Sequence, residues 1–462
     1  MGAPSPAFTK PIANAHPESS THFRILVALI VAASCFRIFV CFHHNPMDYV
    51  FSDMQRHWNN GMRFPRGGYF GASDPIVYQV YMSALQHVTR HNRLLIALSS
   101  ALMSVLMPWT YYRAARNFGL RKTAALWVWA VIAWAPSLLV IYHYIMMETL
   151  LLLLEGIALW MTARYLRRGG TWAFLLFVFF WTIAVLTKPL VAPLAGICFL
   201  WVWWKKSTPL REIAMGAALA ALLVAPQAFR SKLELGFYAP LGNPWLTRIQ
   251  LRSGTRMTYI HFYATSDQSA HFRHNVQQDE FGVGSPSGFI RPLEPFSHWA
   301  MRRAYANEES RVYIDAAHGE RDWKDAYDRL SPDRDEWLAE WQENIILFFF
   351  APSWPESAVG QWDGQLDYWS RWLWAPLILF VFAGNVREFV HRRFDLIPVA
   401  ATLFTLIMAL QNALIMEGRY RKPVETVLLM NVVWILARRS PSEGGKEKPL
   451  EAGDKETASI QT

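Results

Sequence analysis

Four short stretches hold side chains suited to chemistry. "FSDMQRHW" (Phe51 to Trp58) contains Asp53 and His57. On a helix these two lie one turn apart on one face. Asp53 is then a candidate general base, provided an acceptor's proton comes within hydrogen-bond reach. The plainer reading is a helix-surface carboxylate, and Asp48 just upstream is the rival base. "HYIMMETLLLLLEG" (His143 to Gly156) holds His143 and Glu148, with Glu155 two turns deeper on the same face as Glu148. Glu148 is a site candidate; Glu155 is expected to pair structurally with Arg37. "LTKPL" contains Lys188, and "MEGRYRKP" (Met416 to Pro423) crowds Arg419, Arg421 and Lys422 at the mouth of an apolar segment. Pro423 suits the first turn of a helix, whose N-terminal end carries partial positive charge. Fixed cations beside a helix N-terminus make an anion site, and phosphate is the natural anion. Lys188 can reach the same anion. The bland alternative for all four cations is snorkelling to lipid headgroups. Asp53, His57, His143 and Glu148 are also of the types that ligate a divalent metal, although their spacing is not diagnostic.

These roles depend on the elements that carry the side chains. The chain has 462 residues, 53% hydrophobic and only 18% charged, and its apolar residues fall in repeated long runs. Runs of about twenty apolar residues are what a bilayer demands, so the fold class is an all-α polytopic membrane protein. Ten spans are expected, at 23–42, 94–113, 123–141, 146–163, 171–187, 189–204, 212–229, 366–384, 395–416 and 423–437, with Pro189 dividing the fifth from the sixth. The net charge of +9 then reflects basic cytoplasmic loops rather than nucleic-acid binding. Cys35, Cys41 and Cys198 lie in or beside apolar runs and form neither a disulfide framework nor a metal pattern. The polar, Pro-containing first 22 residues do not read as a cleaved signal peptide.

Orientation follows from the basic residues. With the N-terminus inside, Arg113, Arg116, Arg121 and Lys122 form the first inner loop, and Arg164, Arg167 and Arg168 the second. Lys205, Lys206 and Arg211 form the third, Arg387, Arg392 and Arg393 the fourth, and Arg438 and Arg439 open the tail. Each is a short basic loop, as the positive-inside rule requires, so both termini are expected inside. The chain then divides into a cytoplasmic polar tail (1–22), helices one to seven (23–229) with an external loop at 43–93, an external segment (230–365), helices eight to ten (366–438) and a disordered cytoplasmic tail (439–462). "SPDRDEWLAEWQENIILFFF" (Ser331 to Phe350) reads as a capped external helix. In this topology the four chemical stretches all fall at external helix ends. Intramembrane and external cations that the positive-inside rule does not want are functional candidates. Most tryptophans, such as Trp201, Trp203 and Trp204, read as interfacial belt; Trp245 and Trp362 are candidates for stacking a sugar. No Walker A loop, zincin helix, nucleophile elbow or dinucleotide fingerprint is present.

"SDMQRHW", "HYIMMETLLLLL", "LTKPL" and "GRYRKPVETVLL", in that order and on one side of the membrane, resemble the C-type glycosyltransferases. The likeness is to the bacterial polyprenyl-phosphate-dependent branch related to protein mannosyltransferases and aminoarabinose transferases, and "PLGNPW" and "FGVGSP" also look like its external segment. The resemblance implies an inverting transfer of a hexose or pentose from a polyprenyl-phosphate donor to an acceptor hydroxyl on a glycan, lipid or protein. It would occur on the periplasmic face of a bacterial inner membrane. It implies Asp53 as base, aided by Glu148, and Arg419, Tyr420, Arg421, Lys422 and Lys188 around the donor phosphate. One departure is that Asp53 is followed by Met54 where many relatives have a second acid, which puts a metal held there in doubt. His57 and His143 are the remaining candidate ligands. A lipid-linked-sugar flippase would favour inverted repeats and broken helices, and none was read here. A glycan ligase or polymerase would use similar cations.

Overall fold

The computed structural model describes residues 20–245 apart from 49, 51, 66 and 67, the strand segments 259–262, 269–273 and 311–315, and residues 362–411 and 418–439, with a few single helical residues between 320 and 349. The chain is a helical integral membrane protein. Its helices are α1 (Ser20–His43), α2 (Ser52–Arg63), α3 (Gly68–Ser73), α4 (Ile76–Thr89), α5 (Arg93–Asn117), α6 (Lys122–Trp134), α7 (Pro136–Val140) and α8 (Met147–Arg168). They continue as α9 (Thr171–Thr187), α10 (Ala192–Lys205), α11 (Leu210–Leu235), α12 (Trp362–Val390), α13 (Leu396–Gln411) and α14 (Lys422–Arg439). Each of the ten expected spans falls on one of these helices or, for the third, on a broken pair. By length and composition, five helices can cross a membrane alone, a sixth span is the bent pair α6–α7, and three shorter apolar helices are α9, α10 with the turn before it, and α13.

The break in the third span has a residue-level cause. Pro136 has no N–H, so the carbonyl of Ile132 loses its helical partner, and the chain bends by 67°. Arg37 of α1 supplies the missing donors. Its guanidinium donates to the carbonyls of Ile132 (3.0 Å), Ala133 (2.7 Å) and Leu138 (3.2 Å), and to the carbonyl and hydroxyl of Ser104 on α5. The rigid fork of arginine suits several acceptors at once. Arg37 therefore does not pair with Glu155, as the sequence had suggested. Glu155 instead accepts a hydrogen bond from Thr426 on α14 at 2.8 Å. A broken helix offers more acceptors than one carboxylate.

Between helices the packing relies on close backbone approach, because lipid offers little hydrophobic drive for association. A Cβ at Gly156 of α8 would stand 2.0 Å from Thr110 Oγ1, so only glycine lets α5 and α8 meet there. Away from that contact, α5 turns Leu94, Leu98, Leu102 and Leu106 outward, one per turn, as a lipid-facing stripe. The ends carrying the short basic connections meet one another. Arg113 lies over Trp160, Lys122 over Phe23 and Lys206 over Tyr165, and Arg438 pairs with Glu388 and Asp395. Exposed Trp203 and Trp204 accompany them, with Lys205 over the Trp204 ring at 3.9 Å, as an interfacial belt would have it.

At the opposite end, α2, α3 and α4 fill the loop between α1 and α5. The larger segment is not wholly helical: β1 (Tyr259–Phe262), β2 (Ser269–Arg273) and β3 (Arg311–Asp315) form an antiparallel sheet in that order. The helix expected from Ser331 to Phe350 and the "FGVGSP" stretch lie largely outside the described residues, as do most of residues 1–22 and 439–462.

Candidate active site

Helix α2 is positioned by its own pattern. Met54, His57, Trp58 and Gly61 are buried, at the spacing of one helical face, and pack on α4. At the edge of this face, one turn before His57, Asp53 is partly open, its side chain 26% exposed. Asp53 lies in the first turn of α2, where the helix dipole favours an anion. Arg56 Nη2 stands 3.2 Å from Asp53 Oδ1. Its rival Asp48 lies in a 3-10 turn and pairs with Arg93 at the start of α5.

Lys188 ends α9, where Pro189 stops the helix. Its ammonium is 2.5 Å from Glu148 Oε1, in the first turn of α8, and lies 4.3 Å from the centre of the Tyr420 ring. Three stretches far apart in sequence thus converge: "LTKPL", "HYIMMETLLLLL" and "GRYRKPVETVLL". Glu148 supplies the counter-charge that a buried ammonium needs, and the ring adds a cation–π contact.

Arg421 and Lys422, the cations expected beside a donor phosphate, lie at the start of α14. Both are fully buried. Arg421 donates to Glu425 at 2.8 Å and to the Phe348 carbonyl at 2.6 Å, and faces the Trp374 ring. Lys422 donates to the Ser137 carbonyl, while the Ser137 hydroxyl donates to Glu425 at 2.6 Å. The two cations therefore tie the start of α14 to the broken span and balance Glu425. Such a buried pair depends on these surrounding hydrogen bonds to offset its desolvation. Arg419 lies in the same 3-10 turn, and its side chain falls outside the described residues.

The two halves of the site meet through His57. Its ring stands edge-on to Tyr78, 5.1 Å between centres, and its electrostatic neighbours are Arg56, Asp74, Asp53 and Glu148. Burial, with Arg56 next in importance, holds the His57 imidazole down at about 4, so it is neutral near pH 7. The sequence reading passed over Asp74, which is buried just before Pro75. Its carboxylate faces Asn60 Nδ2 at 3.4 Å, Arg56 Nε at 3.5 Å and His57 Nδ1 at 3.8 Å. The signal available was an acid before a proline in an external loop, which on its own marks a turn. The "PLGNPW" stretch packs against this point. Asn243 N–H donates to the Ser73 carbonyl, and a Cβ at Gly242 (φ +100°) would stand 2.9 Å from that same oxygen.

The other candidates separate from this cluster. His143 stacks on His44 at 5.0 Å, with Trp362 beside His44, while His57 packs on Tyr78. Among the described residues no group of three or more His, Cys, Asp or Glu side chains is arranged to hold a metal ion. Trp245 is buried and its indole N–H donates to Glu320 at 3.1 Å, so it offers no open face, whereas Trp362 is exposed.

Residues 67–230 match the family model described as dolichyl-phosphate-mannose-protein mannosyltransferase, which bears out the resemblance to C-type glycosyltransferases. That stretch includes Asp74, Glu148 and Lys188. The chain is also similar to the crystal structure of ArnT from Cupriavidus metallidurans in the apo state, with a TM-score of 0.37 and 16% sequence identity, over 91% of this chain and 78% of that one. No curated protein matches the chain.

Proposed function

We propose that this membrane protein is an inverting glycosyltransferase. In this reading it moves a monosaccharide from a polyprenyl-phosphate donor to an acceptor hydroxyl on the periplasmic face of a bacterial inner membrane. The observation that carries the reading is the convergence of Lys188, Glu148 and Tyr420 beside the His57 face of the helix that bears Asp53. It joins a fixed cation to an open carboxylate, the two charges that such a transfer needs. The match of residues 67–230 to a mannosyltransferase family supports the class of reaction.

The chemistry follows from charge. Asp53 takes the proton of the acceptor hydroxyl as its oxygen bonds to the anomeric carbon from the face opposite the phosphate. The bond from that carbon to the phosphate oxygen breaks, and the sugar configuration inverts. The phosphodiester monoanion leaves as a monoester with one more negative charge. Lys188 meets that growing charge, which is where a fixed cation does most for the rate. Glu148 holds Lys188 in place until the donor arrives. Arg421 and Lys422 act from behind Tyr420, fixing its turn against the broken span and adding positive charge there. Donor, acceptor and membrane side are parts of the proposal that rest on the family resemblance and the charge distribution.

The test uses purified protein in detergent with a panel of polyprenyl-phosphate sugars, following donor consumption. Turnover of one donor that disappears in Asp53→Asn is expected. Unchanged turnover in that variant would remove Asp53 as base. A folded protein that consumes no donor, yet moves a lipid-linked sugar across vesicles, would make it a transporter instead.

A further inference from the structure

Asp74 sits where it can govern the charge of Asp53. The two carboxylates share one guanidinium: Arg56 Nη2 is 3.2 Å from Asp53 Oδ1, and Arg56 Nε is 3.5 Å from Asp74 Oδ2. The sharing is built in, because Asp74 is held from several sides. Asn60 Nδ2 stands 3.4 Å from its carboxylate, and Gln79 Nε2 donates to its backbone carbonyl at 3.2 Å. Gln79 is itself fixed by Arg230 of α11 at 2.8 Å and by the Gly71 carbonyl at 2.6 Å. The residue before Asp74 accepts from Asn243, and the residue after it is Pro75. Such a carboxylate cannot follow Arg56 if the arginine moves.

We infer that Asp74 is a positioning residue that holds Arg56 between two acids and so keeps Asp53 basic enough to accept a proton. An arginine committed to one carboxylate stabilises its ionised form strongly, through charge and paired hydrogen bonds. A second carboxylate draws the arginine off and adds its own negative charge, and both effects favour protonation of Asp53. Among the described residues, the other charged or titratable groups facing this cluster are His57 on the same helix, Tyr78 from α4, Glu148 from α8 and Arg230 from α11. Glu148 pairs with Lys188, His57 and Tyr78 are buried, and Arg230 bonds Gln79, whereas Arg56 contacts Asp53 directly and Asp74 acts on it through that shared guanidinium, and substitution can change each of these two charges singly. This rests on Asp53 being the base of the proposed reaction, but its test does not need turnover.

The test places a reporter thiol by Asp53→Cys in a Cys35→Ala background and measures the rate of maleimide labelling against pH in detergent. The apparent pKa of the introduced thiol reads the local charge. Adding Asp74→Asn should lower it by about one unit, and adding Arg56→Gln should raise it by a similar amount. Asp74→Glu should leave it near its starting value. If Asp74→Asn does not yield folded protein, Asn60→Leu, which frees Asp74 without removing its charge, should lower it by a smaller amount. An introduced thiol whose pKa ignores Asp74→Asn and Asn60→Leu, or moves upward in them, overturns the inference. Turnover surviving Asp53→Asn overturns the functional reading instead, so the two failures are told apart.

Discussion

At the scale of single residues, His57 makes the sharpest statement. It is a fully buried imidazole between the two halves of the site, held neutral by desolvation with a folded-state value of about 4 against 6.5 in the unfolded chain. Between these values the unfolded chain binds a proton that the folded one refuses. Stability from this group is therefore complete above pH 6.5, falls as pH drops toward 4, and changes no further below that. A shift of this size corresponds to a loss on the order of 3 kcal/mol. Thermal melts in detergent from pH 7 to 4 should show the fall, and His57→Phe should flatten that part of the curve. A His57→Phe variant with the same acid sensitivity would assign the loss to other groups. The neighbourhood of His57 also shows what a sequence can and cannot disclose about a site. Asp53, Glu148 and Lys188 were legible because their charges stand at helix ends where an apolar pattern leaves no structural need for them. Tyr420 was legible only through resemblance. Asp74 was missed because its role comes from Asn60, Arg56 and His57 arriving from another helix, and no spacing within "GASDP" encodes that. Nothing local to "GRYRKP" marks the burial of Arg421 and Lys422, since their partners, Glu425, Ser137 and Phe348, include two that are remote in sequence.

At the scale of elements, the apolar runs located every long helix among the described residues, because a span must satisfy its own backbone and bury or expose whole apolar faces to lipid. Proline marks breaks well when it follows a polar residue, as Pro189 follows Lys188. It was not read as a break at Pro136, inside an otherwise continuous run from 123 to 141. The small sheet was also not foreseen, as its strands are only four or five residues long and do not stand out against a polar segment. The bend at Pro136 gives a prediction about coupling. Arg37→Met removes the donors for Ile132, Ala133 and Leu138 and leaves buried carbonyls unmet, with an expected destabilisation of about 3 kcal/mol. Pro136→Ala restores an N–H to the helix and so removes part of the reason for Arg37. The two changes together should be less harmful than the sum of each alone, by about 1 kcal/mol. Unfolding in mixed micelles measures this directly. Strict additivity would mean that Arg37 does not serve the break.

At the scale of the whole molecule, the short basic connections gather at one end of the bundle, and the proposed orientation rests on that asymmetry. One end carries the short basic connections, with Arg113, Arg168, Lys206, Arg393 and Arg438 among their residues. The other end carries Asp53, Asp74, Glu148 and the long connection between α1 and α5. Lysine and arginine in short connections are retained on the cytoplasmic side, while long segments cross regardless of their charge. On the proposed orientation the residues of the site are external, even though Lys188, Arg421 and Lys422 are basic. Their burial against Glu148, Glu425 and Ser137 explains how they escape the rule, because each has its charge or donors met inside the protein before any contact with water. Single cysteines read the orientation without any assumption about substrate. In a Cys35→Ala background, Arg63→Cys and Tyr238→Cys lie at exposed positions on the site end, and Arg168→Cys and Arg393→Cys at exposed positions on the basic end. An impermeant maleimide added to intact cells should label the first pair and reach the second only after permeabilisation. The reverse pattern would place Asp53 and Lys188 in the cytoplasm, where a lipid-linked donor flipped to the outer leaflet could not reach them, and the proposed reaction would fall with the orientation.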